Sequence, residues 1–243
     1  MSIKPFAVLS ILSALLLAAA PVHAAGGGNL HHANVNVRDT AAAQRGAQLF
    51  VNYCLSCHSA NYMRYKRLSE DLKLDEDVVM RNLVFSDAKI GDTMSIAMRP
   101  DDARKWLGKV PPDLSLVARS RGVDWLYTYL FTFYQDKSGG WNNLALPNAS
   151  MPHVLWPLQG IQKAVYASHD GHEVVDHLVL SEPGLYSPEE YEDTVRDLVT
   201  YLEYLSEPSE VKRKNTGVWV LLFLAFFAVI AYALKAEYWR DVH

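Results

Sequence analysis

The sequence predicts a mainly α-helical head with long loops, followed by one transmembrane helix near its C-terminal end. Three observations predict this. Residues 217–234 are apolar throughout. Residues 187–206 carry a helical repeat behind a complete start signal. Residues 40–53 carry a second helical repeat that runs directly into Cys54-Leu55-Ser56-Cys57-His58.

The 243 residues suffice for one globular domain with accessory segments. The chain opens with Lys4, an apolar run from Phe6 to Ala20, and a small-residue exit at Val22-His23-Ala24-Ala25. That order predicts a secretory signal peptide over residues 1–25, cut after Ala24 or Ala25. The apolar run is shorter than the roughly 20 residues needed to span a bilayer. Gly26-Gly27-Gly28 and His31-His32 then predict a loose, solvated N-terminal segment.

In residues 40–53, Gly46, Leu49, Phe50 and Tyr53 share one helical face. Glycine inside a helix costs about 1 kcal/mol relative to alanine. Gly46 therefore predicts close packing against another element.

Cys54-x-x-Cys57-His58 has the spacing of a c-type haem attachment site. Each thiol can add across one haem vinyl group to form a thioether. Two spacer residues set the separation of the sulfurs. The adjacent imidazole then lies beneath the ring as an iron ligand. Cys54 and Cys57 are the only cysteines in the chain. A zinc half-site would need two more ligands at finger-like spacing. A thioredoxin-like pair would need a βαβ context. The pattern offers neither.

Residues 75–108 predict short helices and loop, with Pro100 opening a helical turn and Gly108 closing it. Met94 and Met98 are four apart, a spacing more typical of core filling than of ligation. Pro111-Pro112-Asp113-Leu114-Ser115 breaks the chain. Arg119 and Arg121 follow, then Asp124 as N-cap of a helix over about 125–134, rich in aromatic residues. Such a helix suits either a wall around a flat macrocycle or an ordinary core. A nearby arginine could bond a haem propionate.

Residues 138–153 predict loop. Met151 lies in it, beside Pro152, and leads the candidates for a second iron ligand. His153, Met94, Met98 and the group His169, His172 and His177 remain alternatives on spacing alone. In residues 187–206, Ser187 is the N-cap, Pro188 the first helical residue and Glu190 the third. Tyr191, Val195, Leu198, Val199, Leu202 and Leu205 line one face, which should cross the 40–53 helix at Gly46.

Residues 217–234, at about 1.5 Å each, nearly match a ~30 Å hydrocarbon layer. Trp219, Tyr232, Tyr238 and Trp239 fit the two interfacial belts. Lys212-Arg213-Lys214 precede the span, which by charge alone places the head inside. A signal peptide overrides that bias for a long domain, so the head is expected outside.

Residues 25–211 hold 17 Lys and Arg against 25 Asp and Glu, a net −8. Within them, residues 164–210 hold 12 acids and Arg196 as the only base. That balance argues against a nucleic-acid partner. It favours a basic protein partner.

These motifs in order resemble the cytochrome c1 family, the haem-c subunit of the cytochrome bc1 (ubiquinol–cytochrome c reductase) complex. The resemblance rests on Arg45-Gly46, Cys54-x-x-Cys57-His58, Tyr62-x-x-Tyr65, Met98-Arg99-Pro100, Pro111 to Ser115, Arg119-x-Arg121, Met151-Pro152, and Glu207-Pro208 before the C-terminal anchor. It implies a mainly α c-type cytochrome head domain with long loops. It implies one covalent haem c, with His58 and Met151 on the iron and Arg121 rather than Arg119 at a propionate. The expected organisation is a signal peptide at 1–25, a periplasmic mono-haem cytochrome c domain at 26–211, a transmembrane anchor at 212–235 and a cytoplasmic tail at 236–243 of a bacterial inner-membrane protein.

The implied partners are cytochrome b, a Rieske iron–sulfur protein and a cytochrome c acceptor. The chain is then a non-catalytic electron carrier within an enzyme complex. Alternatives are a haem-c subunit of an oxidase or nitric oxide reductase, or a haem-based sensor or peroxidase.

Overall fold

The computed structural model describes residues 30–169 and 172–242. The expected signal peptide and Gly26 to Gly28 lie outside the described residues. The elements are α1 (Thr40–Tyr53), β1 (Ala60–Arg64), α2 (Tyr65–Leu72), α3 (Glu76–Asn82), β2 (Thr93–Met94), α4 (Pro100–Leu107), α5 (Val117–Arg121) and α6 (Val123–Phe131). There follow β3 (Phe133–Gln135), β4 (Trp141–Asn143), α7 (Trp156–Gln159), β5 (Gly160–His169), β6 (His172–Pro183), α8 (Pro188–Ser206), α9 (Glu210–Tyr238) and a short 3-10 turn.

The head is built on the crossing of α1 and α8. Asp39 caps α1 by accepting from the Ala42 amide at 3.0 Å. Ser187 and Glu190 close a reciprocal capping box on α8. All six residues of the predicted α8 face are buried. Burying each large apolar side chain contributes roughly 1.5–3 kcal/mol. The helices meet at Gly46, where an added Cβ would strike the Asp197 carbonyl and lie 2.6 Å from the Tyr201 Cβ. Beside that contact Arg45 bonds the Asp197 carboxylate twice, at 2.5 and 2.8 Å. Phe50 packs on Tyr201, with ring centroids 5.4 Å apart.

The aromatic helix differs from its expected bounds. It starts at Val123, after Gly122 at φ 87°, and ends at Phe131. Phe133 and Tyr134 belong instead to β3, because the chain turns at Thr132 and pairs with β4. Asp124 is not the cap. Its carboxylate accepts from the Ala33 amide at 2.9 Å and contacts His32 Nδ1 at 3.0 Å. The segment expected to be loose is therefore fastened to α6 from residue 31 onward, where the His31 amide donates to Thr128.

The four strands β4-β3-β5-β6 form one sheet. β5 and β6 make a long antiparallel hairpin that the hydrophobic pattern did not signal. Its base is tight. A Cβ on Gly160, at φ 92°, would lie 2.6 Å from the Gly184 nitrogen.

α9 begins at Glu210, before the basic triplet, and its apolar stretch is exposed along the whole span. It is the one helix among the described residues long and apolar enough to cross a membrane. Five of the twelve acids of the 164–210 stretch are paired with Lys or Arg within the fold. Asp197 pairs with Arg45, Glu207 with Arg213 and Arg119, Glu210 with Lys214, Glu173 with Lys137, and Asp193 with Arg196.

Candidate functional site

The Cys54–His58 turn grows out of α1. The Cys54 and Leu55 amides both donate to the Phe50 carbonyl, at 2.8 and 2.9 Å. The Cys57 and His58 amides both donate to the Cys54 carbonyl, at 3.1 and 2.9 Å. One tight turn thus presents both sulfurs and the imidazole. Cys54 is buried and Cys57 half-buried, and both are free thiols. Burial pushes the Cys54 thiol up to about 12, with Cys57 adding to the shift. Such a thiol is a poor redox nucleophile.

The Pro111–Ser115 block closes over this turn. His58 Nδ1 lies 2.7 Å from the Pro112 carbonyl. A carbonyl can only accept, so Nδ1 carries the proton and Nε2 of the neutral ring is left as a free donor atom. Burial lowers the His58 pKa, against the Pro112 carbonyl and Asp113, which favours that neutral, ligand-ready form. The Leu114 amide donates to the Ser59 carbonyl at 2.8 Å. Asp113 accepts from the Asn61 amide at 2.9 Å and from the Ser115 amide at 2.8 Å. Burial works to raise the Asp113 carboxyl, but bonds from Ser115 and Asn61 outweigh it and hold it low.

Met151 sits on the loop between β4 and α7, half-buried against the core. Asn143 pins the start of this loop. It is buried, donates to the Tyr129 carbonyl at 2.6 Å, and accepts from the Ala145 and Leu146 amides. Asn142 accepts from the Asn148 amide at 2.8 Å. Neither asparagine was marked by any sequence pattern.

The rival ligands are disposed differently. Met94 is fully buried on β2, and its sulfur accepts from the Tyr201 hydroxyl at 3.3 Å, so it is core. Met98 is half-buried on a loop. His177 is exposed on the hairpin beside Asp176. His169 and His172 close the hairpin, and their side chains lie outside the described residues. His153 is 2% exposed. Its ring stacks on Phe133 at 5.0 Å and meets the edge of Trp141 at 5.3 Å. Burial drives it down to about 4, opposed by Gln159, so it stays neutral.

The two arginines are also distinguished. Arg119 lies 3.5 Å from Glu207. Arg121 lies over the Trp125 ring at 4.9 Å and has no ion pair among the described residues. From there the rings run in sequence. Trp125 stacks on Tyr129 at 5.0 Å, and Tyr129 meets Phe133 at 4.9 Å.

These donors fit haem c. Two thiols at the right spacing share a turn with an imidazole whose Nε2 is free, and a thioether stands on a separate anchored loop. No group of three or more His, Cys, Asp or Glu side chains gathers for a metal ion among the described residues, which argues against zinc. A cleft of about 440 Å³ lies elsewhere, lined by Asn34, Arg45, Asp197 and Thr200 among others, and holds none of these donors.

The profile of the Cytochrome C1 family matches residues 31–242. A protein of Allochromatium vinosum named cytochrome c1 is 50% identical over 97% of this chain and 99% of its own. A Nitrosomonas europaea protein named ammonia monooxygenase gamma subunit is 47% identical over 96% and 97%. The cytochrome c1 of Rhodospirillum rubrum is 27% identical over 84% and 83%. The chain belongs to the cytochrome c1 family of membrane-anchored haem-c electron-transfer subunits.

Proposed function

We propose that this chain is the electron-carrying subunit of a bacterial quinol–cytochrome c reductase. It takes single electrons from a Rieske iron–sulfur protein and hands them to a cytochrome c. The observation that carries the reading is the 2.7 Å contact of His58 Nδ1 with the Pro112 carbonyl, which fixes the tautomer and orients the ring. Haem c, held by Cys54 and Cys57, supplies the one-electron couple.

In this reading His58 and Met151 would ligate the haem iron. An iron so held would leave no site for oxygen or peroxide, which favours electron transfer over catalysis. Arg121, with no carboxylate partner among the described residues, is free to meet a propionate. α9 anchors the head beside cytochrome b, with the head in the periplasm after removal of residues 1–25.

The test is substitution of Met151 by Leu in the haem-loaded protein. The reduction potential should fall, the weak Met–iron absorption band should vanish, and carbon monoxide should bind the reduced form. An unaltered spectrum removes Met151 from the iron.

A second reading comes from the Nitrosomonas relative, whose name attaches it to a monooxygenase. Co-purification in detergent separates the two. A b-type cytochrome and a Rieske protein support the reductase, and a monooxygenase subunit opposes it.

A further inference from the structure

We propose that His153 is a positioning residue for Met151, locking the C-terminal side of the loop so that the thioether stays presented. This rests on the assignment of Met151 as an iron ligand.

The loop is held firmly before Met151. Asn143 and Asn142 together accept from the amides of Ala145, Leu146 and Asn148. After Met151, the first side chain buried in the core is His153. Its ring is boxed by Phe133, at an interplanar angle of 8°, and by the edge of Trp141. Phe133 and Trp141 lie on paired strands, at opposite ends of the β3–β4 ladder. The box is therefore part of the sheet, and Met151 is suspended between two fixed points close in sequence.

Packing alone would be served as well by phenylalanine. The polar atoms argue for histidine. His153 Nε2 and Gln159 Oε1 are the buried side-chain polar atoms left without a partner among the described residues. The Gln159 carboxamide neighbours the His153 ring, although no bond of standard geometry joins the two atoms. Gln159 is itself held by donating to the Phe131 carbonyl at 2.9 Å. A proton on Nε2 and a slight turn of the carboxamide satisfy both atoms at once. That contact, once made, would tie the loop to the junction of α7 and β5.

The experiment uses the haem-loaded protein in detergent, with four variants beside wild type. His153→Ala removes ring and nitrogen. His153→Gln keeps an amide nitrogen near the Nε2 position. His153→Phe keeps the stack alone. Leu158→Ala makes a cavity at another buried site nearby, on α7. The readouts are the Met–iron band, the reduction potential and the rate of carbon monoxide binding to the reduced form.

With His153→Ala, carbon monoxide should bind roughly tenfold faster or more, equivalent to ~1.4 kcal/mol or more. The band should weaken and the potential fall. His153→Gln should recover most of this, and His153→Phe only part. Leu158→Ala should lower the melting temperature without moving band, potential or rate. The proposal is overturned if His153→Ala behaves like Leu158→Ala. Should His153→Ala fail to fold, a His153→Phe protein indistinguishable from wild type overturns it instead. Met151→Leu, measured in parallel, separates the two ideas. If it leaves the band intact, the ligand assignment fails. If it abolishes the band while the His153 variants keep theirs, only the positioning role fails.

Discussion

Gly46 of α1 lies directly beneath the backbone carbonyl of Asp197 on α8, with no room between them for a side chain. Asp197 holds α1 twice over, through that backbone contact and through its paired bonds to Arg45. Because the obstruction is backbone, it cannot swing aside. Gly46→Ala should destabilise the head by about 3 kcal/mol, the upper end of ordinary overpacking. Thermal unfolding measures it. A melting temperature equal to wild type would mean that the helices can separate at no cost.

Asn143 is the second point of leverage. Its amide satisfies the Tyr129 carbonyl, and its oxygen holds two loop amides. Asn143→Ala leaves the buried Tyr129 carbonyl unpaired, at about 1–3 kcal/mol, and frees the two loop amides. Hydrogen exchange should show faster exchange at Ala145 and Leu146 while α8 stays protected. Unchanged exchange at those amides would separate the loop from Asn143.

Arg121 and Arg119 should respond in opposite ways. Removing a positive charge near a haem favours its oxidised form, so Arg121→Gln should lower the reduction potential. Arg119→Gln should leave it unchanged, because that guanidinium faces Glu207. Redox titration of the two variants decides the matter, and equal potentials would refute the propionate role of Arg121.

The capping box of α8 titrates. Glu190 accepts from the Ser187 amide at 2.8 Å and its hydroxyl at 2.9 Å, and these bonds hold its pKa below the usual value. A depressed folded pKa contributes stability above the unfolded value, near ~4.3, that is lost as pH falls through the folded value. Glu190→Gln retains an acceptor without the charge. Its stability deficit should be constant near neutrality and shrink in acid. A deficit independent of pH would assign the effect to packing.

The internal pairing of the acidic stretch changes what salt should do. Asp197, Glu207 and Glu210 are already matched by bases. Glu189 and Glu192 have no ion pair among the described residues, and exposed charges are those that steer a basic partner. Replacing both by Gln should flatten the ionic-strength dependence of acceptor reduction. Asp197→Asn should cost stability and leave that dependence alone. An unaltered salt profile in the double variant would place the docking surface elsewhere.

The two crossing helices, the haem turn and the apolar anchor were legible because each depends on local chemistry: a cap, a period, a spacing, a length. The 40–53 helix, Ser187 as cap and Gly46 as crossing point were all marked by the residues themselves. What escaped detection was set by distant partners. Phe133 and Tyr134 continue the aromatic pattern of α6, yet they leave the helix because β4 offers them a ladder. The β5–β6 hairpin buries little, so Val165, Val174 and Val179 stay exposed and Lys163 and Asp176 interrupt any apolar run. His153 looked like a rival ligand because its burial between Phe133 and Trp141 is a tertiary fact. Asn143 carries no motif, and its importance arises from a carbonyl fourteen positions away.

The joint between α8 and α9 has a mechanical consequence. Glu207 ends one helix and grips Arg213 of the next, at 2.5 and 3.0 Å, while the Glu210 amide donates back to the Glu207 carbonyl at 3.0 Å. From this joint α8 runs to Asp197, Asp197 holds α1, and α1 ends in the cysteine turn. The electron-carrying turn is thus mounted on a braced post rising from the bilayer. A post of this kind ties the position of the cysteine turn to the first turns of the anchor helix.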